Sequence, residues 1–584
     1  MSAHPDVLAD TRRQKPSMST SSILQYAVFL GLVTALVKPA GAYLARVFEG
    51  GHTRLDRGLK PVEQLIYRLM RIDATAEMSW KEYAIVFVLF TAAGTVLLYG
   101  LLRLQMHLPG APGADELTTP MTPDLALNTA VSFTTTTTWQ ACGGETTMKY
   151  WTQIAGLAGQ NFLAGAAGLA LGIAFMRGFA RKFCGTIGNF WFDVVRSTLW
   201  VLLPLCLIGS VLLIWQGVPM TFAPYVKATT IQGDLQTIAR GPVAAMEFIK
   251  NLGTNGGGFF NANGAHPFEG PTPLANLLNM LAIAVLPASL TYTFGHMVGR
   301  PRAGWILYAA MVFLFVVALV VCDLGESRGN PLVTQLGVAG ANMEGKEVRF
   351  GVAQTVLTAV TTSNGATGST NAMHDSFMPL SISAPLCNMM LGEIVFGGLG
   401  TGLYSIVMVA LVGLFIAGLM TGRTPEYLGK KIGPGEMKLI AIFSLVTPLA
   451  VLFPSAVAVV CNGGLAGLTT NSGPHGFTEI LYAYASCCAN NGQAMAGLNA
   501  NSLFYNLTTV PVMLAGRFAL AIPALALAGR LAKQGRRSQH AGTLPSDSLL
   551  FATVAVSSAV LIVLLSFLPA LAMGPLLEHF QFPR

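Results

Sequence analysis

Asn251-Leu252-Gly253-Thr254-Asn255-Gly256-Gly257-Gly258-Phe259-Phe260-Asn261-Ala262-Asn263 stands between two long apolar segments. It carries three consecutive glycines, Gly256 to Gly258, and no charge. Such a stretch is too polar and too glycine-rich to be a helix in lipid. Irregular backbone survives at membrane depth only where protein buries it or where it lines a watery path. The chain reads as built around this loop and three relatives of it.

The surrounding composition supports that setting. Of 584 residues, 53% are hydrophobic and 11% charged, whereas soluble domains carry about a quarter charged residues. With a mean hydropathy of +0.57, the chain reads as an all-α polytopic membrane protein with about ten transmembrane helices at roughly 20 apolar residues each. The net charge of +8 comes from Lys and Arg gathered between apolar runs, which is the positive-inside pattern. No basic stripe with interleaved aromatics argues for nucleic acid as a partner. The cysteines Cys142, Cys184, Cys206, Cys322, Cys387, Cys461, Cys487 and Cys488 form no Cys-x-x-Cys and read as packing residues. The first twenty residues are polar and the next apolar run is long enough to span, so no cleavable leader is expected.

The expected spans are Ile23–Val37, Tyr83–Leu104, Ile154–Phe175, Val194–Trp215, Leu274–Thr293, Trp305–Val321, Met389–Met420, Leu439–Val460, Leu503–Leu531 and Leu549–Leu571. A polar stretch from Lys38 to Lys81 is the densest basic region and is assigned to the cytoplasm. All five inner loops are then basic, and both termini lie outside. Arg12, Arg13 and Lys15 argue mildly against an outer N-terminus. The middle eight spans repeat a unit four times: span, polar re-entrant section, span, basic loop. The expected divisions are an N-terminal tail at 1–20, a first helix and cytoplasmic loop at 21–81, pore repeats at 82–182, 183–302, 303–436 and 437–537, and a final helix at 538–584. Four membrane-pore-membrane repeats around a central pore, with one extra helix at each end, is thus the expected architecture.

Before each polar loop lies an apolar piece too short to cross: Ala126–Phe133, Val243–Leu252, Val352–Ser363 and Phe477–Cys487. Half-crossing pore helices are the natural reading; extracellular amphipathic helices are the alternative. The loops that follow align on Thr138, Gly256, Gly368 and Gly492, spaced about 110–125 residues apart. The candidate ion-binding residues are Thr136, Thr137, Thr138, Thr254, Asn255, Gly256, Thr367, Gly368, Ser369, Asn490, Asn491 and Gly492. Glycine permits backbone that points successive carbonyls one way, and Thr and Asn add uncharged side-chain oxygens. Rings of neutral oxygens replace the hydration shell of a weakly hydrated monovalent ion, whereas Mg²⁺ or Ca²⁺ would recruit carboxylates. Potassium fits best, and residue type alone leaves sodium open. Glu145, Glu269 and Asp375 follow the loops and are expected to concentrate cations at the outer mouth; solvated loop charges are the alternative.

At this point the sequence resembles a family, the potassium-binding A subunit of the Kdp potassium-transporting ATPase of bacterial inner membranes. The resemblance covers almost all of the chain after Ser22. It is carried by Thr138-Trp139-Gln140 with Gly143-Gly144-Glu145-Thr146-Thr147, by Gly253 to Asn263 running on to His266-Pro267-Phe268-Glu269, by Asn371-Ala372-Met373-His374-Asp375-Ser376-Phe377, and by Ala489-Asn490-Asn491-Gly492 with Ala496 to Asn501. It implies a potassium filter fed from outside. It also implies partners: a P-type ATPase B subunit that hydrolyses ATP, a C subunit and a small single-span subunit, all in lipid. Ions are implied to leave sideways, towards the ATPase subunit. Thr138 stands where the other loops have glycine, so the filter is not four-fold symmetric.

Trp139 and Gln140 directly follow the first loop, and Gln140 is expected to brace it by hydrogen bonds. Arg517 lies inside a span, where a cation is costly and usually functional, and by analogy with the wider transporter superfamily it reads as an electrostatic barrier beneath the filter. Gly392-Glu393 and Gly397-Gly398-Leu399-Gly400-Thr401-Gly402 should break the third return helix, with Glu393, Gly397 and Gly398 as a candidate gate; small-residue helix packing is the alternative. The chain holds neither a Gly-x-x-x-x-Gly-Lys-Ser/Thr motif nor Asp-Lys-Thr-Gly, so no nucleotide is expected on it. Two other readings compete with this one. One is a stand-alone potassium channel or symporter. The other is a membrane enzyme using His266, His374 and His475, which no fixed spacing supports.

Overall fold

The computed structural model describes residues 18–108, 117–420, 422, 425–537 and 545–582. Most of the expected N-terminal tail therefore lies outside the described residues. Ten helices among them are long and apolar enough to cross a membrane. The outer pair are α1 (Thr20–Phe48) at the start and α16 (Leu549–Leu571) at the end. Between them, each unit contributes an entering span, a short half-helix and a returning span.

The first unit is α3 (Trp80–Leu104), half-helix α4 (Pro123–Thr134) and α5 (Thr152–Ala180). The second is α6 (Phe190–Trp215), half-helix α7 (Val243–Leu252) and α8 (Pro273–Met297). The third is α9 (Pro301–Ser327), half-helix α10 (Gly351–Asn364) and a return split into α11 (Pro379–Met390) and α12 (Thr401–Met420). The fourth is α13 (Pro434–Val460), half-helix α14 (Gly473–Cys488) and α15 (Leu503–Ala532). Local chemistry sets these boundaries. Ser79 and Glu82 form a reciprocal capping box at the start of α3, and the hydroxyls of Thr272 and Ser502 cap α8 and α15.

Three features depart from the sequence expectation. Helix α1 continues through Lys38 and Arg46 to Phe48, so the polar stretch assigned from Lys38 begins inside a helix. Within that stretch lies α2 (Asp56–Met70), with Val62, Leu65 and Leu69 exposed. Basic residues flank that apolar stripe, which is the pattern of a helix lying in a membrane interface. The third is local and leaves the all-α architecture intact: β1 (Val226–Thr229) pairs antiparallel with β2 (Leu235–Ile238) in the long connection after α6. The helix-period pattern hides so short an exposed hairpin.

The face with short connections is also where the basic residues find partners. Arg177 grips buried Asp193 with two hydrogen bonds, at 2.6 and 2.8 Å. Lys430 Nζ donates to the carbonyls of Arg181, Leu531 and Gln534 at 2.7, 2.9 and 2.6 Å. A cation there ties the carbonyl-rich ends of α5 and α15 together. The opposite face, called outer here after the charge pattern, carries the long connections and the half-helices.

Candidate functional site

The four half-helices end at the four loops. Each loop then places a residue in the left-handed region at the same position: Thr136 (φ 66°), Thr254 (φ 50°), Ala366 (φ 49°) and Asn490 (φ 46°). Two residues later stand Thr138, Gly256, Gly368 and Gly492, and three of these are again left-handed, at 48°, 94° and 89° for Thr138, Gly256 and Gly492. Alternating right- and left-handed residues turn successive carbonyls toward one side, and left-handed backbone is unfavourable for any residue with a Cβ. That these positions carry it in loops of such different sequence means the surrounding protein imposes it.

The aligned residues also pack in sequence around one axis. A Cβ on Gly256 would stand 2.3 Å from Gly368 N. One on Gly368 would stand 2.6 Å from Asn491 O, and one on Gly492 would stand 2.1 Å from Thr137 O. The cycle closes where Thr138 Oγ1 donates to Asn255 O. The second loop touches the third, the third the fourth, the fourth the first, and the first the second.

The asparagine amides of the loops are engaged in hydrogen bonds. Asn490 Nδ2 donates to Thr137 Oγ1 at 2.9 Å and Met513 O at 3.0 Å, and Asn491 Nδ2 donates to Thr362 O at 2.8 Å. Asn255, with its amide nitrogen toward its acceptors, reaches Asn161 O and Gly253 O at 3.0 Å each. These amides hold neighbouring loops and half-helices together. Gln140 Oε1 accepts from Gly258 N at 2.7 Å, which ties the first loop to the second. Trp139 is buried beside it.

Above the ring, a vestibule of about 680 Å³ opens onto Thr138, Gly257, Gly368 and Gly492. The outer-mouth carboxylates are placed differently from the expectation. Glu269 is fully buried. It takes a hydrogen bond from Phe260 N at 2.8 Å and pairs with Lys250 Nζ, which also holds Glu247 at 2.6 Å. It braces the segment that leaves the second loop rather than standing as a free charge at the mouth. Burial inside an ion-paired cluster is invisible to a one-dimensional reading. Asp375 pairs with His475 at 2.9 Å. Glu145 is half-buried and accepts from Asn261 N at 3.0 Å, and burial raises its carboxyl above the usual range. Lys346 and Glu347, which the sequence reading passed over, are among the residues lining the vestibule, with the Lys346 ammonium itself buried against Glu326 at 2.7 Å. Their position one half-helix upstream of the third loop was the available signal.

Below the ring, the remaining candidates converge. Arg517 sits on a wide π-type turn, Ala515–Ala519, within α15. Such turns shift side-chain direction and recur at functional sites. Its Nη1 donates to Thr136 Oγ1 at 3.1 Å and its Nη2 to Ala164 O at 3.0 Å. Among the described residues no salt bridge neutralises it. The segment between α11 and α12 is non-helical, with Gly392, Glu393, Phe396 and Gly400 all at positive φ. Leu399 N donates to Thr254 Oγ1 at 2.9 Å, directly under the second loop. A Cβ on Gly398 would lie 3.2 Å from Glu393 Oε2 and 3.5 Å from Ala366 Cβ, under the third. Gly397 packs back on Glu393 O.

The three histidines do not meet; among the described residues the one His-containing acidic group that could hold a metal joins Asp375, His475 and Glu479. His266 stacks on Phe260 at 3.7 Å, and His374 Nδ1 meets Tyr482 Oη at 3.1 Å.

A family model described as Potassium-transporting ATPase A subunit matches residues 27–580. A potassium-transporting ATPase potassium-binding subunit of Methylorubrum extorquens is 51% identical over 563 residues, 96% of this chain and 98% of the relative. One of the same description from Mesorhizobium japonicum is 50% identical over 562 residues, with the same two coverages of 96% and 98%. Among solved structures, the potassium transporter TrkH from Vibrio parahaemolyticus superposes with a TM-score of 0.49 at 13% identity, covering 83% of this chain and 96% of that one.

Proposed function

The chain belongs to the family of potassium-transporting ATPase A subunits, and on that premise we propose that its four-loop ring is the filter that takes potassium from outside for an ATP-driven uptake complex. The observation that carries this reading is the closed cycle of loop contacts with matched left-handed residues. It supports a narrow ring of inward carbonyls, the arrangement that replaces the water shell of a weakly hydrated monovalent cation. Potassium is the transported ion, and the chain is a non-catalytic subunit. ATP is hydrolysed by a P-type B subunit, in a complex with a C subunit and a small single-span subunit. The assembly lies in the bacterial inner membrane, with both termini of this chain outside.

In this reading the ion descends from the vestibule through the ring and meets Arg517 and the Glu393–Gly400 break. The unpaired guanidinium opposes free passage into the cytoplasm. The break supplies the movable element that releases the ion sideways to the B subunit. Residues Trp139 and Gln140 hold the ring's first two loops in register.

The test is ATPase activity of the purified complex against potassium, rubidium and sodium with Gly256→Asp. A carboxylate at that position stands against the third loop's backbone, so potassium affinity falls and discrimination against sodium relaxes. Unchanged affinity and selectivity would falsify the filter assignment.

A further inference from the structure

We propose that the outer end of half-helix α14 carries a divalent transition-metal site, of the kind that takes Zn²⁺, built from Asp375, His475 and Glu479. His475 and Glu479 lie one turn apart on α14, and Asp375 arrives from the third repeat. The ligand atoms of the three all lie within 4.8 Å of one another. His475 Nε2 is 2.9 Å from Asp375 Oδ1 and 3.9 Å from Glu479 Oε1. These separations bracket those between neighbouring ligands of one ion bound at about 2.0–2.2 Å. One imidazole nitrogen with carboxylate oxygens suits Zn²⁺ and its neighbours, whereas Ca²⁺ and Mg²⁺ prefer oxygen alone.

Three further observations point to a ligand at this place. His475 Nδ1 lies 2.8 Å from Glu578 Oε1, on the C-terminal helix α17 (Leu577–Gln581). A carboxylate on the far ring nitrogen is the partner that orients metal-binding histidines. It turns Nε2 toward the carboxylates of Asp375 and Glu479, where a bound metal would take the place of the Nε2 proton. Second, Glu479 is 1% exposed and its Oε2 has no partner in the protein, which is costly for a buried carboxylate. Third, a Cβ on Gly497 would lie 2.5 Å from Thr470 Oγ1, 2.6 Å from Glu479 Oε1 and 2.8 Å from Asp375 Oδ1. Three oxygens thus converge where glycine leaves no side chain. Asn471 Nδ2 donates to Asp375 Oδ2 and to Glu479 Oε1, at 3.0 Å each, which fixes both carboxylates. The His475 side chain keeps 17% exposure, so an ion can enter from the outer face. The bound ion would join the exit of the third loop, half-helix α14 and the C-terminus.

The site does not depend on the potassium reading, and its test reads binding directly. The purified untagged full chain, stripped with chelator, is titrated with Zn²⁺ by calorimetry, and bound metal is counted after gel filtration. The expected result is one Zn²⁺ per chain, with zinc-edge absorption showing nitrogen and oxygen ligands and no sulfur. D375N and H475Q weaken binding about tenfold or more, and E578Q weakens it about 10–100-fold through the imidazole. No binding to the wild-type chain, sulfur in the shell, or affinity unchanged in D375N overturns the proposal. D375N leaves the His475–Glu578 contact in place, so it decides the matter even if H475Q fails to fold.

Discussion

Gly256 and Arg517 mark the two ends of the proposed ion path. Gly256 holds φ 94° and would press a Cβ to 2.3 Å from Gly368 N. Gly256→Ala therefore carries about 1–3 kcal/mol of strain. If the ring is the filter, potassium affinity measured by activation of the complex's ATPase falls about tenfold or more. Gly258, whose N–H meets Gln140, is legible as part of the same motif, but its partner 118 positions away in sequence is not. Arg517 is buried and hydrogen-bonded to one hydroxyl and one carbonyl. In Arg517→Ala those acceptors lose their donor, at about 1–3 kcal/mol in unfolding. If the guanidinium is the barrier, passive rubidium flux into vesicles without ATP rises as well. Loss of stability without any flux would leave Arg517 a structural residue.

Half-helices and breaks were readable as elements because their composition contradicts their setting. A run of glycines in an apolar segment forecasts the interruption between α11 and α12. What it packs against was not readable. A Cβ on Gly168 would stand 2.6 Å from Leu399 O, and one on Gly172 would stand 2.5 Å from Gly400 Cα. Gly172→Val forces the break away from α5, and overpacking of this kind costs about 1–3 kcal/mol. The melting temperature falls, and if the break is the gate, transport falls further than stability alone explains. Half-helix α7 offers a second case. Lys250, buried between Glu247 and Glu269, pairs with both side chains behind the second loop. Lys250→Met leaves them unpaired, and breaking a buried pair costs about 3–5 kcal/mol. Thermal unfolding of the purified chain measures it.

At the scale of the molecule, the ends of the chain are fastened across repeats. Thr293 Oγ1 donates to Gly41 O at 3.1 Å, which seats α1 on α8. His475 ties the fourth repeat to the third through Asp375 and to the C-terminus through Glu578. Burial opposes the charge on His475, but the hydrogen bonds and attraction of Asp375 and Glu578 prevail and hold its imidazolium up to about 10. Glu479 also faces it, and burial beside Asp375 lifts that carboxyl to about 7. A folded value above the unfolded 6.5 means that this tie is fully present below the unfolded value and is lost as pH rises through the folded one. In chelator, the melting temperature of the wild-type chain should therefore drop from pH 6.5 toward 10, and H475Q should flatten that drop. An equal slope in both chains would remove His475 from the account.

Sequence alone determined the membrane setting, the ten spans, the four short half-helices and the register of Thr138, Gly256, Gly368 and Gly492. These follow from period, length and composition, which are local and survive projection onto one dimension. Tertiary structure decided what the asparagine amides do, because they find bracing partners across the repeats. It moved Glu269 from an expected mouth to a buried pair. It also brought Asp375, His475, Glu479 and Glu578 together from the third repeat, the fourth and the C-terminus. Contacts between residues a hundred positions apart depend on how the repeats close around their axis, and no window of sequence contains that closure.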